Sequence, residues 1–210
     1  MEIKRINTYD DPRFDKEILL QHGAYLLDKE IPCSFRVTGR KSAEIHCPEA
    51  LDLTEVIEEF RFYTPHIVEF YSADGQLVKK YPDPCILELD LKEIQPSQFY
   101  ASEEKVAAIS TFIHSGEDIF VQIGVLDGAY VSLDGHTRLT YAAQMGWNRV
   151  YGCLVDDVGK YIPDFVEGAR QRGIFTPSDI QLISQNEYEV KWDQFCDNYF
   201  ANKQNTSEEA

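Results

Sequence analysis

The sequence predicts an α+β protein, and three observations carry that reading. Short apolar runs flank turn signals at Thr38-Gly39-Arg40-Lys41, Ser72-Ala-Asp-Gly75 and Asp127-Gly128, the pattern of β-hairpins. Other stretches place apolar residues three and four apart, the period of a half-buried helix. No internal repeat is visible, so strands and helices mix without strict alternation.

Each element has a local reason. Phe14 to His22 carries apolar residues at 14, 18 and 19 and stops at Gly23, which predicts a short helix. Ser34 to Val37 and Ala43 to Cys47 flank the first turn signal as strands. An amphipathic helix opens at Leu53-Thr54, with Thr54 as its cap. Val56, Ile57 and Phe60 share one face, and Pro65 ends it. Ile67 to Tyr71 and Gln76 to Tyr81 form the second hairpin, and Tyr81-Pro-Asp-Pro84 reads as a linker. Leu87 to Ile94 is extended until Pro96. Ser102 caps a helix reaching His114, with Glu103 and Glu104 at its positive end. Ile119 to Val125 and Ala129 to Leu133 pair through Asp127-Gly128. A helix from His136 to Met145 closes at Gly146, and Arg149 to Val155 is a last strand. The tail is helical: one face from Tyr161 to Ala169 ending at Gly173, a short helix at Thr176-Pro177, and a broad apolar face from Tyr188 to Phe200. Asn202 to Ala210 is polar and predicts a disordered end.

Composition bounds the function. The chain has 210 residues, enough for one large domain or two small ones. Acids outnumber Lys and Arg by 36 to 20, for a net charge of −16. That charge argues against coating nucleic acid or a membrane surface, because anionic backbones need clustered positive charge. No apolar run is long enough to span a bilayer, and the first residues carry no apolar signal core. The expectation is a cytoplasmic protein. The five cysteines (33, 47, 85, 153, 196) sit in apolar or strand-like contexts and predict buried reduced thiols. The five histidines (22, 46, 66, 114, 136) are scattered, so no structural metal is expected.

The chemistry concentrates where the strand ending at Leu133 turns into a helix, at Asp134-Gly-His-Thr-Arg138. A helix N-terminus presents unpaired amides and about half a positive charge, and so attracts anions. Gly135 lets backbone approach a ligand. His136, Thr137 and Arg138 set donors on the first turn, and Arg138 can fork onto a phosphate. Asp134 can cap the helix, hold a metal or take a proton. The structural alternative has equal standing: Asp134 only caps, and Arg138 only pairs with it.

Residues 86–155 resemble the ParB/sulfiredoxin fold. The resemblance rests on Ile94-Gln-Pro-Ser-Gln98, the helix after it, the hairpin, and Leu133-Asp-Gly-His-Thr-Arg-Leu139 followed by Ala142-Ala143 and Gly146-Trp147. It covers about a third of the chain. It implies a ParB/sulfiredoxin-like core (86–157), with a small N-terminal α+β region (1–85), a helical C-terminal extension (158–201) and a disordered tail (202–210). It also implies nucleotide phosphate binding at Gly135, His136, Thr137 and Arg138. Sulfiredoxins use a cysteine beside the motif histidine, where this chain has Gly135. The chromosome-partition relatives add DNA-binding helices and an arginine-rich motif, and this chain has neither. The motif is most similar to that of free-serine kinases, Asp-Gly-His-x-Arg, which move phosphate from a nucleotide to the hydroxyl of a free amino acid. Their glutamate base corresponds to Gln98 here, and an amide accepts no proton at neutral pH.

The resemblance therefore implies a phosphotransferase that uses ATP or ADP with Mg²⁺ and a small hydroxyl substrate. Its candidate catalytic residues are Asp134, His136, Glu103 and Glu104, with Asp134 as metal ligand. The alternatives are a nucleotide-binding module without catalysis and an interaction domain that binds no nucleotide. Other residues carry two readings, the structural one favoured: Phe60-Arg-Phe-Tyr63 with His66 as core or as a pocket lining, His22 as a helix end or as a group reaching a ligand across a domain interface, and Glu117-Asp118 as a solvated turn or a metal contact; Glu187, Glu189, Lys191 and Asp193 read as a solvated helix face. The sequence sets no oligomeric state.

Overall fold

A computed structural model of the chain describes residues 2–48 and 53–208. It is a mixed α+β arrangement built on two main sheets. The first sheet holds six strands in chain order: β1 (Ile3–Arg5), β2 (Ala24–Leu27), β3 (Ile31–Val37), β4 (Ser42–His46), β5 (Glu69–Ser72) and β6 (Leu77–Lys80). Helix α1 (Lys16–Leu20) lies between β1 and β2 in the chain. All neighbours are antiparallel except β4 and β5. A parallel pair needs a crossover, and α2 (Thr54–Tyr63) supplies it.

The face between α2 and the sheet is aromatic. Phe35 and Phe60 stack with centroids 4.3 Å apart, and Tyr25 and Phe70 meet them edge-on. Each of these four rings is fully buried. Such pairs add about 0.5–1.5 kcal/mol beyond the area they bury.

The second sheet is formed by five strands: β7 (Cys85–Asp90), β8 (Ile94–Pro96), β10 (Phe120–Leu126), β11 (Ala129–Ser132) and β12 (Arg149–Leu154), in the order β7-β12-β10-β11-β8. A short strand β9 (Tyr100–Ser102) leads into α3 (Glu103–Ile109). Helix α4 (His136–Gln144) follows β11. Leu139 and Ala142 of α4 and Ile109 of α3 pack on Val121, Ile123 and Val150 of the sheet. The β10–β11 turn is the expected one: Asp127 and Gly128 have φ of 52° and 82°, which a two-residue hairpin requires.

The C-terminal part consists of α5 (Ile162–Gln171), β13 (Gln181–Ile183), α6 (Gln185–Tyr188) and α7 (Gln194–Glu208), with one π-helical turn at Glu189–Asp193. Strand β13 runs parallel to β9. Phe99 is the hub there: Trp192 and Phe195 meet it at 5.0 and 5.2 Å, and the Arg172 guanidinium lies 4.3 Å from its ring centre. No helix among the described residues is long and apolar enough to cross a membrane.

Three expectations change. Thr54 is the first helical residue of α2, with Leu53 at the N-cap position, because the chain enters the helix one residue early. Cys33 and Cys47 are joined as a disulfide rather than reduced thiols, because β3–β4 pairing sets Ser34 opposite His46 and brings the two cysteine Cα atoms to 4.5 Å. Cys85, Cys153 and Cys196 are free. The final helix continues to Glu208, past the start of the expected disordered tail. Residues 209 and 210 lie outside the described residues.

Candidate functional site

The two main sheets meet where β11 turns into α4. His66, after α2, stacks on Phe120 of β10 at 4.2 Å. Gln122 donates its amide to the Phe62 carbonyl. Between the sheets lies a cleft of about 1280 Å³. Asp134, Gly135, His136, Thr137 and Arg138 all line it, so the fold brings the whole motif to this cleft.

Gly135 is required by backbone geometry before any ligand is considered. Its φ is 84°, and a β-carbon there would sit 2.4 Å from Cγ1 of the fully buried Val121. As the N-cap residue of α4 it leaves the first-turn amides uncapped by any side chain. The capping role considered for Asp134 is therefore not the observed one.

His136 is turned inward. It is 5% exposed, and its Nε2 lies 3.0 Å from Ser132 Oγ and 3.3 Å from the Ser97 amide. Ser97 Oγ gives its own proton to the Ser132 carbonyl. Nε2 thus accepts from the Ser97 amide, and the ring is neutral. Burial pushes its pKa down to about 4, against a small opposing pull from Asp134. This side chain ties β8, β11 and α4 together, and the first turn of α4 offers the cleft its backbone amides.

Arg138 also binds protein. Its Nη1 donates to the Phe120 carbonyl at 2.6 Å. Its Nη2 donates to the Tyr63 carbonyl at 3.3 Å and to Asp134 Oδ2 at 3.0 Å. It joins the end of α2 to β10 beside the cleft, so the guanidinium fork expected to face a phosphate is largely committed inside the protein. Asp134 remains about one-third exposed on the cleft wall. Of the two candidate glutamates on α3, Glu104 lines the cleft and Glu103 does not. Ser102 caps α3 as expected. Gln98 is buried, and its amide donates to the Tyr100 carbonyl at 2.5 Å and the Tyr188 hydroxyl at 3.2 Å.

The sequence reading missed much of the cleft. Arg5, Lys16, Arg40 and Lys105 all line it, and none makes an ion pair among the described residues. Lys105 sits 4.1 Å from the centre of the Tyr188 ring, and burial holds its pKa below the usual lysine range. Glu187, Glu189, Lys191 and Asp193 are all exposed, as the solvated-face reading expects, and Glu189 and Asp193 also border the cleft. Partial burial raises the Asp193 pKa. Phe60, Tyr63, His66 and His22 line the cleft, so for the last three the less favoured of the two sequence readings is the one the fold realises, and Phe60 serves as core as well. None carries a local motif; chain topology alone assembles them.

Among the described residues no cluster of three or more His, Cys, Asp or Glu side chains could hold a metal ion. Magnesium is commonly held by one or two carboxylates together with substrate phosphates. Asp134, with one oxygen on Arg138 and the other without a hydrogen bond among the described residues, fits that smaller requirement.

No family model matches the chain, and no curated protein matches it. Among solved structures it is similar to protein Atu1540 from Agrobacterium tumefaciens, at 13% identity and a TM-score of 0.34. The match spans 47% of this chain and 62% of that one, less than two thirds of its length, and carries no argument about fold or site.

Proposed function

We propose that residues 86–157 form a ParB/sulfiredoxin-like core, and that the cleft binds a nucleotide with Mg²⁺ and transfers phosphate to a small hydroxyl substrate. One observation carries this reading. In a chain of net charge −16, four cations without carboxylate partners line the same cleft as the uncapped first turn of α4. Asp10, Glu104, Glu117, Asp118, Asp134, Glu189 and Asp193 line the cleft as well, so it suits a polyanion that enters with its divalent cation, and helix-start amides favour phosphate oxygens.

The residues divide the work accordingly. The amides at Gly135, His136 and Thr137 and the Lys105 ammonium hold phosphate oxygens. Arg138 and His136 keep the turn in place from beneath. Asp134 holds the metal, and Glu104 accepts the proton of the attacking hydroxyl as the phosphorus–oxygen bond to the nucleotide breaks. Magnesium, when bound, neutralises charge on the phosphate oxygens.

A second reading, nucleotide binding without turnover, draws support from Gln98. It is buried and donates from the position where the resembling kinases carry a base. Incubation with ATP or ADP, Mg²⁺ and a pool of free amino acids, read by mass spectrometry, separates the two. The proposal expects a phosphorylated amino acid that disappears in Asp134→Asn while nucleotide binding persists. Binding with no product from any hydroxyl substrate supports the second reading.

A further inference from the structure

We infer that Arg5, on the N-terminal wall of the cleft, is a receptor for the carboxylate of the acceptor substrate. This rests on the phosphotransfer reading only for the word acceptor; the carboxylate site itself stands on geometry. Arg5 ends strand β1 and lines the cleft. Its Nε donates to Asn7 Oδ1 at 2.9 Å, and its Cζ lies 3.7 Å from the centre of the Tyr63 ring. The guanidinium is thus fixed along one edge and across one face. Its two Nη groups have no hydrogen-bond or ion-pair partner among the described residues. An arginine held in this way presents a rigid, two-pronged donor, and the complementary ligand is a planar carboxylate bound by both oxygens.

Tyr9 and His22 stand beside Arg5 on the same wall. Burial, reinforced by Glu104, pushes the Tyr9 hydroxyl up to about 12, and it lies within hydrogen-bond distance of His22 Nε2, at 3.3 Å. His22 Nδ1 is buried without a partner among the described residues. His22 also holds a left-handed backbone, with φ of 55°. Such strain in a non-glycine residue concentrates at ligand sites. Four charged groups act on this imidazole: Arg5, Lys105 and Arg138 disfavour its protonation, and Asp134 favours it.

The assignment divides the ligands. The α4 turn and Lys105 take phosphate, and Arg5 takes the carboxylate of a small hydroxy or amino acid from the opposite wall. The six-stranded N-terminal sheet thereby becomes the acceptor half of the site.

The experiment measures binding without nucleotide, by titrating the whole chain with L-serine, L-threonine, glycerate and acetate, and separately with Mg·ADP. Arg5→Ala and Arg5→Lys are compared with wild type, each checked by thermal melting for an intact fold. The inference expects at least one carboxylate to bind at millimolar concentration. Arg5→Ala should then weaken it about tenfold or more, the scale of a lost charge-assisted bond pair. Arg5→Lys keeps the charge but loses the fork, and should weaken it by an intermediate factor. Mg·ADP affinity should stay within about twofold in both variants. Carboxylate binding through Arg5 in a protein that takes no nucleotide would sustain the inference and sink the phosphotransfer reading. No carboxylate binding in wild type, or equal affinity in both variants, would overturn the inference. So would Mg·ADP affinity falling as far as carboxylate affinity, because Arg5 would then serve phosphate.

Discussion

Arg138 and Asp134, one helical turn apart, meet at 3.0 Å over the floor of the cleft, and the same guanidinium reaches carbonyls on β10 and at the end of α2. The ion pair is partly exposed and by itself contributes about 0–1 kcal/mol. The carbonyl contacts matter more, because truncation leaves partly buried acceptors unsatisfied, at up to about 1–3 kcal/mol. Arg138→Ala should therefore lower the ligand-free melting temperature by roughly 3–10 °C, measured by calorimetry. A ligand-free variant as stable as wild type would show that Arg138 does not tie α2 to β10.

Gly135→Ala tests the turn itself. The left-handed φ of 84° and the 2.4 Å approach to Val121 act together, and Val121, buried in the core, has no room to yield. The expected cost exceeds about 1 kcal/mol, read as a lower urea midpoint at unchanged slope. An unchanged midpoint would mean that the turn relaxes freely.

Gln98→Glu asks whether catalysis can be restored or strengthened. A carboxylate at this place would face the Tyr100 carbonyl that the amide now satisfies, while keeping the Tyr188 hydroxyl as donor. Burial and the facing carbonyl should raise its pKa toward neutrality, which suits a general base. The expectation is phosphotransfer about 10²-fold or more above wild type, with some loss of stability. No gain over a broad panel of hydroxyl substrates would place the base elsewhere.

Acid sensitivity follows from His136. Its folded pKa is about 4, against about 6.5 in the unfolded chain. The unfolded state binds the proton first as pH falls through 6.5. Stability is therefore full above about 6.5, declines between about 6.5 and 4, and levels below that, a loss on the order of 3 kcal/mol for this group. His22, lowered to about 4, and His66, lowered to about 3, act in the same direction. Urea unfolding at pH 7 and pH 5 should show the decline, and His136→Asn should show less of it. Equal slopes in wild type and His136→Asn would remove this histidine from the account.

The legible parts of the fold were those with local signals. Asp127-Gly128 specified its hairpin, Ser102 capped α3, and Gly146, at φ of 69°, ends α4 as a C-terminal glycine. Strands β1 and β2 were not read from the sequence. The turn from β2 to β3 uses Asp28 and Lys29, both at positive φ, without the glycine that usually marks such a turn. At the site, the motif turn was legible because its residues are contiguous. Arg5, Tyr9 and His22 come from the far wall, and Arg5 in Ile3-Lys-Arg5 looks like any basic strand end. Only the packing of the first sheet against the second gives it a role. The inward direction of His136 and Arg138 was equally hidden, since sequence fixes their position on the first turn but not the serines and carbonyls beneath it.

The central claim is that the cleft at the α4 turn binds nucleotide phosphates. A thermal-shift series with ATP, ADP, CTP and GTP, with and without Mg²⁺, tests it most directly, with Lys105→Gln as the control. A ligand at a hundredfold excess over its Kd stabilises by about 2.7 kcal/mol, or roughly 5–10 °C for a chain of this size. The account predicts a rise of that order with at least one nucleotide, dependent on Mg²⁺ because the chain is acidic, and largely lost in Lys105→Gln. If no nucleotide at millimolar concentration moves the wild-type transition by more than about 1 °C, the cleft does not bind phosphate and the Asp134-to-Arg138 motif is structural.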